Sequence, residues 1–474
     1  MNYAVKVGFA PTRRGAAFVN QDALKYKKMI AEKLGKWNVD FVDIEDINEE
    51  GLLRGPYDVD ATIEKFKKAH VDCLFFPHCN FGSEHSVSKV AHELKLPVLL
   101  WGPRDEAPLE DGSRLRDTQC GLFATGKVLR RVRTPFTYLP NCRVDDDLFD
   151  KGFHAFLAAA NVIRNMRTAR ILQISTRPTD FWTMMVNEGE LLERFNVQVF
   201  PIAMSDFTDR VKQLETDEKD ARVEETVKYI YGSMDVCVSD EIVRRVAAMK
   251  ETMKRYSEEN GCSAVAIQCW DALQNALQIM PCCANSLLTD EGLPVVCETD
   301  IHGAISAIMA QSAGMGKTPS FFVDWSIRHP DNDNGELLQH CGPWPLSLAI
   351  EKPKLARPFA FEDNCPGNVI AEIKGGEISI IRFDGDNGEY GILMGTAKGI
   401  KGPHNKGTFL WVEIPEWTRV ETMIVKGPYL HHAVAIHGNI LPVIYEALTY
   451  LPDVRADFYN EAQKRETENF WFGL

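Results

Sequence analysis

The sequence predicts an α/β protein: two doubly wound parallel-sheet domains, at 1–165 and 166–345, then a small β-barrel-like C-terminal domain with terminal helices at 346–474. Two observations predict it. Through residue 345, short apolar runs alternate with segments of helical periodicity, the pattern of strand–helix–strand units. From 346 to 430, helical periodicity is lost, Pro and Gly rise, and short strands are separated by turn signals.

In the first domain, Tyr3–Ala10, Val39–Ile44, Cys73–Pro77 and Pro97–Trp101 read as strands. Between them, Asp22–Leu34, Ala61–Ala69 and Ser86–Leu94 read as helices. This alternation predicts a parallel, Rossmann-like sheet. Its strands run into polar loops such as Pro11-Thr12-Arg13-Arg14-Gly15 and His78-Cys79-Asn80-Phe81-Gly82, which would crowd one sheet edge. In the second domain, Ala169–Ser175, Val197–Ile202 and Ala264–Trp270 read as strands, and Glu215–Tyr229 as a solvated helix or lid. Ser239, followed by Asp240 and Glu241, opens a long helix to about Asn260. In the third, Asn368–Ile373, Glu377–Phe383, Tyr390–Ala397, Thr408–Ile414 and Arg419–Val425 read as strands. From Gly438 the tail returns to helix, with Leu441, Ile444, Leu448 and Leu451.

The 474 residues exceed one ordinary core. Hydrophobic content of 45% and charged content of 25% are those of a soluble globular protein. The net charge of −14 argues against a nucleic-acid partner. No apolar run reaches the roughly 18 residues that span a membrane, and the N-terminus enters a strand without the regions of a signal peptide. Twelve cysteines lack CxxC pairing, and several (Cys73, Cys237, Cys269, Cys297) sit in apolar runs, which predicts a cytoplasmic location.

The chemistry is expected at Cys297-Glu298-Thr299-Asp300-Ile301-His302-Gly303, where a buried strand meets a helix. Open α/β sheets place ligands outside the carboxyl ends of strands. Ser320-Phe321-Phe322-Val323-Asp324-Trp325 repeats the arrangement, and Glu298 and Asp324 are expected on neighbouring strands facing one cleft. His340 and His432 follow downstream. Two carboxylates at close range need a positive charge, and a divalent cation supplies it while accepting neutral imidazoles. Duller explanations stand beside this one. Asp300 suits a helix N-cap, Asp324 a turn cap, and a lone His such as His340 a surface or core group. In His431-His432, adjacent strand residues face opposite ways, so one at most would ligate.

At these residues the chain resembles the L-fucose isomerase and L-arabinose isomerase superfamily. Glu298-Thr299-Asp300 is similar to the first metal acid of that family, Phe321-Phe322-Val323-Asp324-Trp325 to the second, and His431-His432-Ala433 to its C-terminal histidine. Leu338-Gln339-His340-Cys341 falls where the arabinose branch has a further metal histidine, and Pro11–Gly15 resembles a basic loop of the fucose branch. The resemblance implies reversible aldose–ketose isomerisation of an open-chain monosaccharide through a cis-enediolate, using Mn²⁺ or another divalent cation. It implies Glu298 and Asp324 as acid and base, and Glu298, Asp324, His340 and His432 as metal ligands. Asp300 and His431 would orient ligands, and Arg13, Arg14, Asn80, His302 and Trp325 would touch the sugar. It also implies a trimer or hexamer in which the N-terminal domain of one subunit covers another's site. Rival readings are a metal-dependent aldolase or epimerase working through the same enediolate, and a non-catalytic sugar-binding protein.

Overall fold

A computed structural model describes residues 1, 3–15, 20–357 and 365–473. The chain forms two compact units. The N-terminal unit comprises Asn2–Arg164 with Pro442–Pro452 and Arg465–Leu474. Its sheet is built from β1 (Lys6–Phe9), β2 (Asp40–Val42), β3 (Cys73–Pro77), β4 (Val98–Trp101) and β5 (Thr137–Tyr138). All pairs are parallel, in the order β2-β1-β3-β4-β5. Successive side chains of β3 leave opposite faces. Leu74 and Phe76 join a core with helices Pro56–Ala69, Glu84–Leu94 and Thr118–Arg131. Phe75 faces the other way, 5.3 Å from Phe153 in helix Asp147–Arg167, and Trp101 stacks on Phe149 of the same helix at 4.0 Å. Burial on both faces explains why β3 has no polar position.

The second unit comprises Met1, Asn165–Leu441 and Asp453–Lys464. Its parallel sheet has β6 (Arg170–Ile174) and β7 (Gln198–Ile202). After the two-residue β8 (Asp235–Val236) come β9 (Ala264–Ile267) and β10 (Val295–Val296). The order is β10-β9-β6-β7. Glu215–Tyr229, read as one charged segment, divides between helices Met204–Thr216 and Ala221–Ser233. Asp220 restarts the chain by accepting from the N–H groups of Arg222 and Val223, an N-cap that makes a break in the middle of a charged stretch.

Beyond this sheet the strands are β11 (Phe321–His329), β12 (Asn332–His340), β13 (Lys354–Ala356), β14 (Asn368–Glu372), β15 (Glu377–Asp386), β16 (Glu389–Ile400), β17 (Thr408–Glu413), β18 (His432–His437) and β19 (Val454–Phe458). Six of them close into a barrel, β16-β15-β18-β11-β12-β17 and back to β16. Phe321, Val323, Leu338, Ile380, Leu393, Leu410, Ala433 and Ala435 belong to its core.

Three expectations are corrected here. Arg419–Val425 is not a strand but lies within helix Trp417–Lys426; Trp417 and Val420, three apart, are its buried residues, the spacing of a helix face. The tail is not wholly helical, since β19 separates helices Leu441–Leu448 and Glu461–Phe472. The strand bearing Asp324 is not a parallel neighbour of the one before Glu298. It is β11, paired antiparallel with β12 and β18 in the barrel. Helix Ile301–Ala313 is buried along its whole length, packed on β9, β10 and β11 as well as β15 and β18. A helix that is apolar all round requires such a double covering. Among the described residues, no helix is long and apolar enough to cross a membrane.

Candidate active site

Glu298 lies in the tight passage from β10 to helix Ile301–Ala313. Glu298 and Thr299 both take the left-handed backbone, φ 54° each, which costs non-glycine residues on the order of 1–3 kcal/mol. The passage is held by the Thr299 N–H to Ile267 O (3.2 Å) and the Asp300 N–H to Cys297 O (3.1 Å). Asp300 then caps the helix, its Oδ1 accepting from the Gly303 N–H at 2.8 Å. A Cβ on Gly303 would lie 2.6 Å from Asp300 Oδ2 and 2.7 Å from the Phe322 ring, so only glycine fits.

The other donors come from the barrel. In the β11–β18 pair Asp324 stands opposite His432; in the β11–β12 pair it stands opposite Gln339, and His340 ends β12. His432 Nε2 is 3.3 Å from Glu298 Oε2 and 3.5 Å from Asp324 Oδ1. His340 Nε2 is 3.9 Å from each of the same two oxygens. Glu298 Oε2, Asp324 Oδ1 and His340 Nε2 are buried without a hydrogen-bond partner. Orphaned polar atoms are rare in a folded interior. Two carboxylate oxygens and two imidazole nitrogens converging in this way could hold a divalent cation. The Glu298 side chain is 5% exposed and that of Asp324 28%, so the site opens to solvent on the Asp324 side.

Electrostatics follow from burial and neighbours. Burial raises the Glu298 carboxyl above its usual range. Burial alone would lower His340, but Asp324, Cys341 and Glu298 around it push it up to about 10. Behind His432 runs a buried ionic chain. Its Nδ1 meets Asp300 Oδ2 at 3.0 Å. Both terminal nitrogens of Arg382 donate to Asp300, and its Nε donates to Asp384 Oδ2 at 2.8 Å. Asp384 Oδ1 meets His302 Nδ1 at 3.0 Å. Burial opposes ionisation of Asp300, yet the Arg382 guanidinium and the His432 imidazole hold its carboxyl well below the carboxylate range. Anchoring Nδ1 leaves Nε2 of His432 turned to the carboxylates, the usual way a ligating histidine is oriented.

Of the other expected residues, His302 sits at the far end of this chain, its Nε2 buried and without a hydrogen-bond partner. Trp325 packs on Trp417 (5.1 Å) and Tyr459 (6.4 Å). His431 is exposed, its ring 4.1 Å from that of His432. Arg13, Arg14 and Asn80 belong to the N-terminal unit. There Arg13 is buried and forked onto Glu50 (Nε–Oε2 2.6 Å). Arg14 lies 4.1 Å over the Phe81 ring and 3.5 Å from Glu84, and Asn80 Oδ1 accepts from the N–H groups of Arg14 and Gly82.

The sequence reading missed Arg382 and Asp384, Gln339 as the register partner of Asp324, and Cys269 and Trp270, which donate to Glu298 Oε1 at 3.2 and 3.0 Å. A signal existed for Arg382: an arginine between Ile381 and Phe383 in an apolar strand, with an acid two residues on, marks a paired buried charge.

A family model described as fucose/sulfoquinovose isomerase, N-terminal domain, matches residues 8–167. A sulfoquinovose isomerase of Alkalicoccus urumqiensis is 24% identical over 400 residues, 83% of this chain and 88% of that protein. One from Priestia megaterium (strain ATCC 12872 / QMB1551) is 23% identical over 407 residues, 84% and 88%. One from Clostridium sp. (strain MSTE9) is 25% identical over 282 residues, 58% and 60%.

Proposed function

Since the chain belongs to the fucose isomerase-like superfamily and is an aldose–ketose isomerase, we propose that it interconverts sulfoquinovose, a glucose carrying a sulfonate at C6, with the corresponding ketose. The proposal places Mn²⁺ or a similar divalent ion among Glu298, Asp324, His340 and His432. The observation that supports it most is the convergence of Glu298 Oε2, Asp324 Oδ1 and His340 Nε2, all buried and unpartnered, around His432 Nε2. When bound, the cation supplies Lewis acidity toward the sugar's oxygens and charge to balance a developing enediolate.

The remaining steps fall to side chains of this chain. Glu298 is the more buried carboxylate, and its raised basicity suits removal of the proton from C2 of the open-chain aldose and its return at C1. That transfer runs through a cis-enediolate. Asp324, the more exposed acid, moves the proton between the oxygens on C1 and C2. Asp300, held ionised by Arg382, fixes the His432 ring throughout. The same reading includes a trimeric or hexameric assembly, which size-exclusion chromatography measures.

Incubation of the Mn²⁺-treated protein with sulfoquinovose and a panel of neutral aldoses in D₂O tests the function. Ketose formation from the sulfosugar, with deuterium at C2 of recovered aldose, is expected. Turnover of neutral sugars alone would remove sulfoquinovose from the proposal. Carbon–carbon cleavage products would replace isomerisation with aldol chemistry.

Two further outcomes are expected. His432→Ala should lower Mn²⁺ affinity by more than ~10-fold, read as metal content after dialysis. Mn²⁺ binding should also release protons, because His340 holds its proton up to about 10 and Glu298 is raised in the ion-free site. The deprotonated forms bind, so affinity should rise with pH through the neutral range. Calorimetric titration in buffers of different ionisation enthalpy counts the protons, and a count of zero would contradict the ligand set.

A further inference from the structure

We propose that Cys269, Cys297 and Glu298 form a second cation site, selective for thiophilic ions such as Cd²⁺ or Zn²⁺, at Glu298 Oε1 rather than at the Oε2 that faces the histidines. Glu298 has two different surroundings. Its Oε2 faces His340, His432 and Asp324. Its Oε1 accepts from the Cys269 thiol at 3.2 Å and from the Trp270 indole N–H at 3.0 Å, a donor with which an ion at this oxygen would have to share it, or which it would have to displace. Donor atoms of Cys269, Cys297 and Glu298 all lie within 4.8 Å of one another, and all three residues are buried. Three donors at such separations can be drawn onto one ion by small side-chain rotations.

A second observation points the same way. Asn285, fully buried, donates from Nδ2 to Cys297 Sγ at 3.7 Å, and its Oδ1 has no hydrogen-bond partner. An N–H donated to the sulfur favours the thiolate, the form in which cysteine binds a metal ion. The thiols extend further: Cys297 also contacts Cys341, whose sulfur is 3.3 Å from that of Cys282.

The two donor sets have opposite preferences. Oxygen and nitrogen donors accept Mn²⁺, whereas thiolates select softer ions. Filling the sulfur side releases two thiol protons to solvent and leaves two cysteine thiolates and the Glu298 carboxylate around the ion. One carboxylate would then serve two cations, so each ion should weaken the other's binding, with equal effect in both directions. The inference concerns ion binding alone and holds whichever sugar the enzyme takes.

The test uses the chelator-treated full chain, kept reduced, with CdCl₂ as the probe. A thiolate-to-cadmium charge-transfer band is expected in the ultraviolet, and Mn²⁺ should give none. Cys297→Ser should lose the band. Cadmium NMR on the unaltered protein gives a second measure that needs no variant, with a shift in the sulfur-ligated range expected. Cadmium binding without the band, a resonance typical of oxygen and nitrogen ligands only, or a band unchanged in folded Cys297→Ser would overturn the proposal. Mn²⁺ binding to the same samples is read separately by electron paramagnetic resonance. Its absence would count against the ligand set under Proposed function and leave the sulfur site standing.

Discussion

Glu298→Gln is expected to lower kcat by about 10²–10⁴-fold, the range that a positioned general base supplies. The substitution keeps the side chain's size and its Oε1 as an acceptor for Cys269 and Trp270. It removes the carboxylate charge that faces His340 and His432. Exchange of deuterium into C2 of recovered aldose separates two causes of lost turnover. If Glu298 carries the carbon-bound proton, exchange should fall with turnover even at saturating Mn²⁺. If exchange persists while ketose formation stops, Glu298 acts only on metal or on the oxygens, and its assigned role fails. Asp324→Asn, applied in parallel, should lower turnover while retaining part of the exchange.

Arg382→Met should produce the largest loss of stability in the second unit, about 3–5 kcal/mol, because it leaves the Asp300 and Asp384 carboxylates buried without their counter-ion. The measurement is the urea midpoint of the transition reported by the barrel tryptophans Trp325, Trp344, Trp411 and Trp417. Adding Asp300→Asn should recover part of the loss, since it removes one uncompensated charge. A double variant no better than Arg382→Met would refute the ionic account. The effect should also fade in acid. The folded protein holds Asp300 below its ordinary pKa, so the network contributes stability above the unfolded value of about 3.9. That contribution is lost as pH falls through the folded value. The gap between wild type and variant should narrow accordingly.

Much of the local structure was legible. β3, Cys73–Pro77, is an uninterrupted apolar run between a helix end and a polar loop, and nothing but a buried strand suits it. Helix Asp240–Asn260 opens after Ser239 and ends at Asn260, as Ser239 and the acids behind it indicated, although the Ser239 side chain makes no capping hydrogen bond; Gly261 closes it in the left-handed region. The turn signal at Asp384–Gly388 ends in the two-residue turn Asn387–Gly388 between β15 and β16, which pair from Glu377–Lys398 to Asp386–Glu389. Errors arose where a short segment fits two periods. Arg419–Val425 is rich in β-branched residues, yet it lies in a helix whose buried residues, Trp417 and Val420, are three apart.

Asp324 shows the limit of such reading. Its run of apolar residues looks like a strand of either sheet, and the choice depends on its partners. Those partners are His432 on β18 and Gln339 on β12, and no local signal names them.

The sequence by itself determined most element types, the strand–helix junction at Glu298 and the residue kinds able to hold a cation, because steric preference and side-chain periodicity act over a few neighbouring residues. Tertiary structure alone decided that Asp324 belongs to the barrel, that Arg382 and Asp384 stand behind His432, and that the Cys269 thiol meets Glu298 Oε1. These depend on strand register and on helix Ile301–Ala313 packing between sheet and barrel. Such contacts join residues far apart along the chain, where only the closing of the barrel sets which side chains meet.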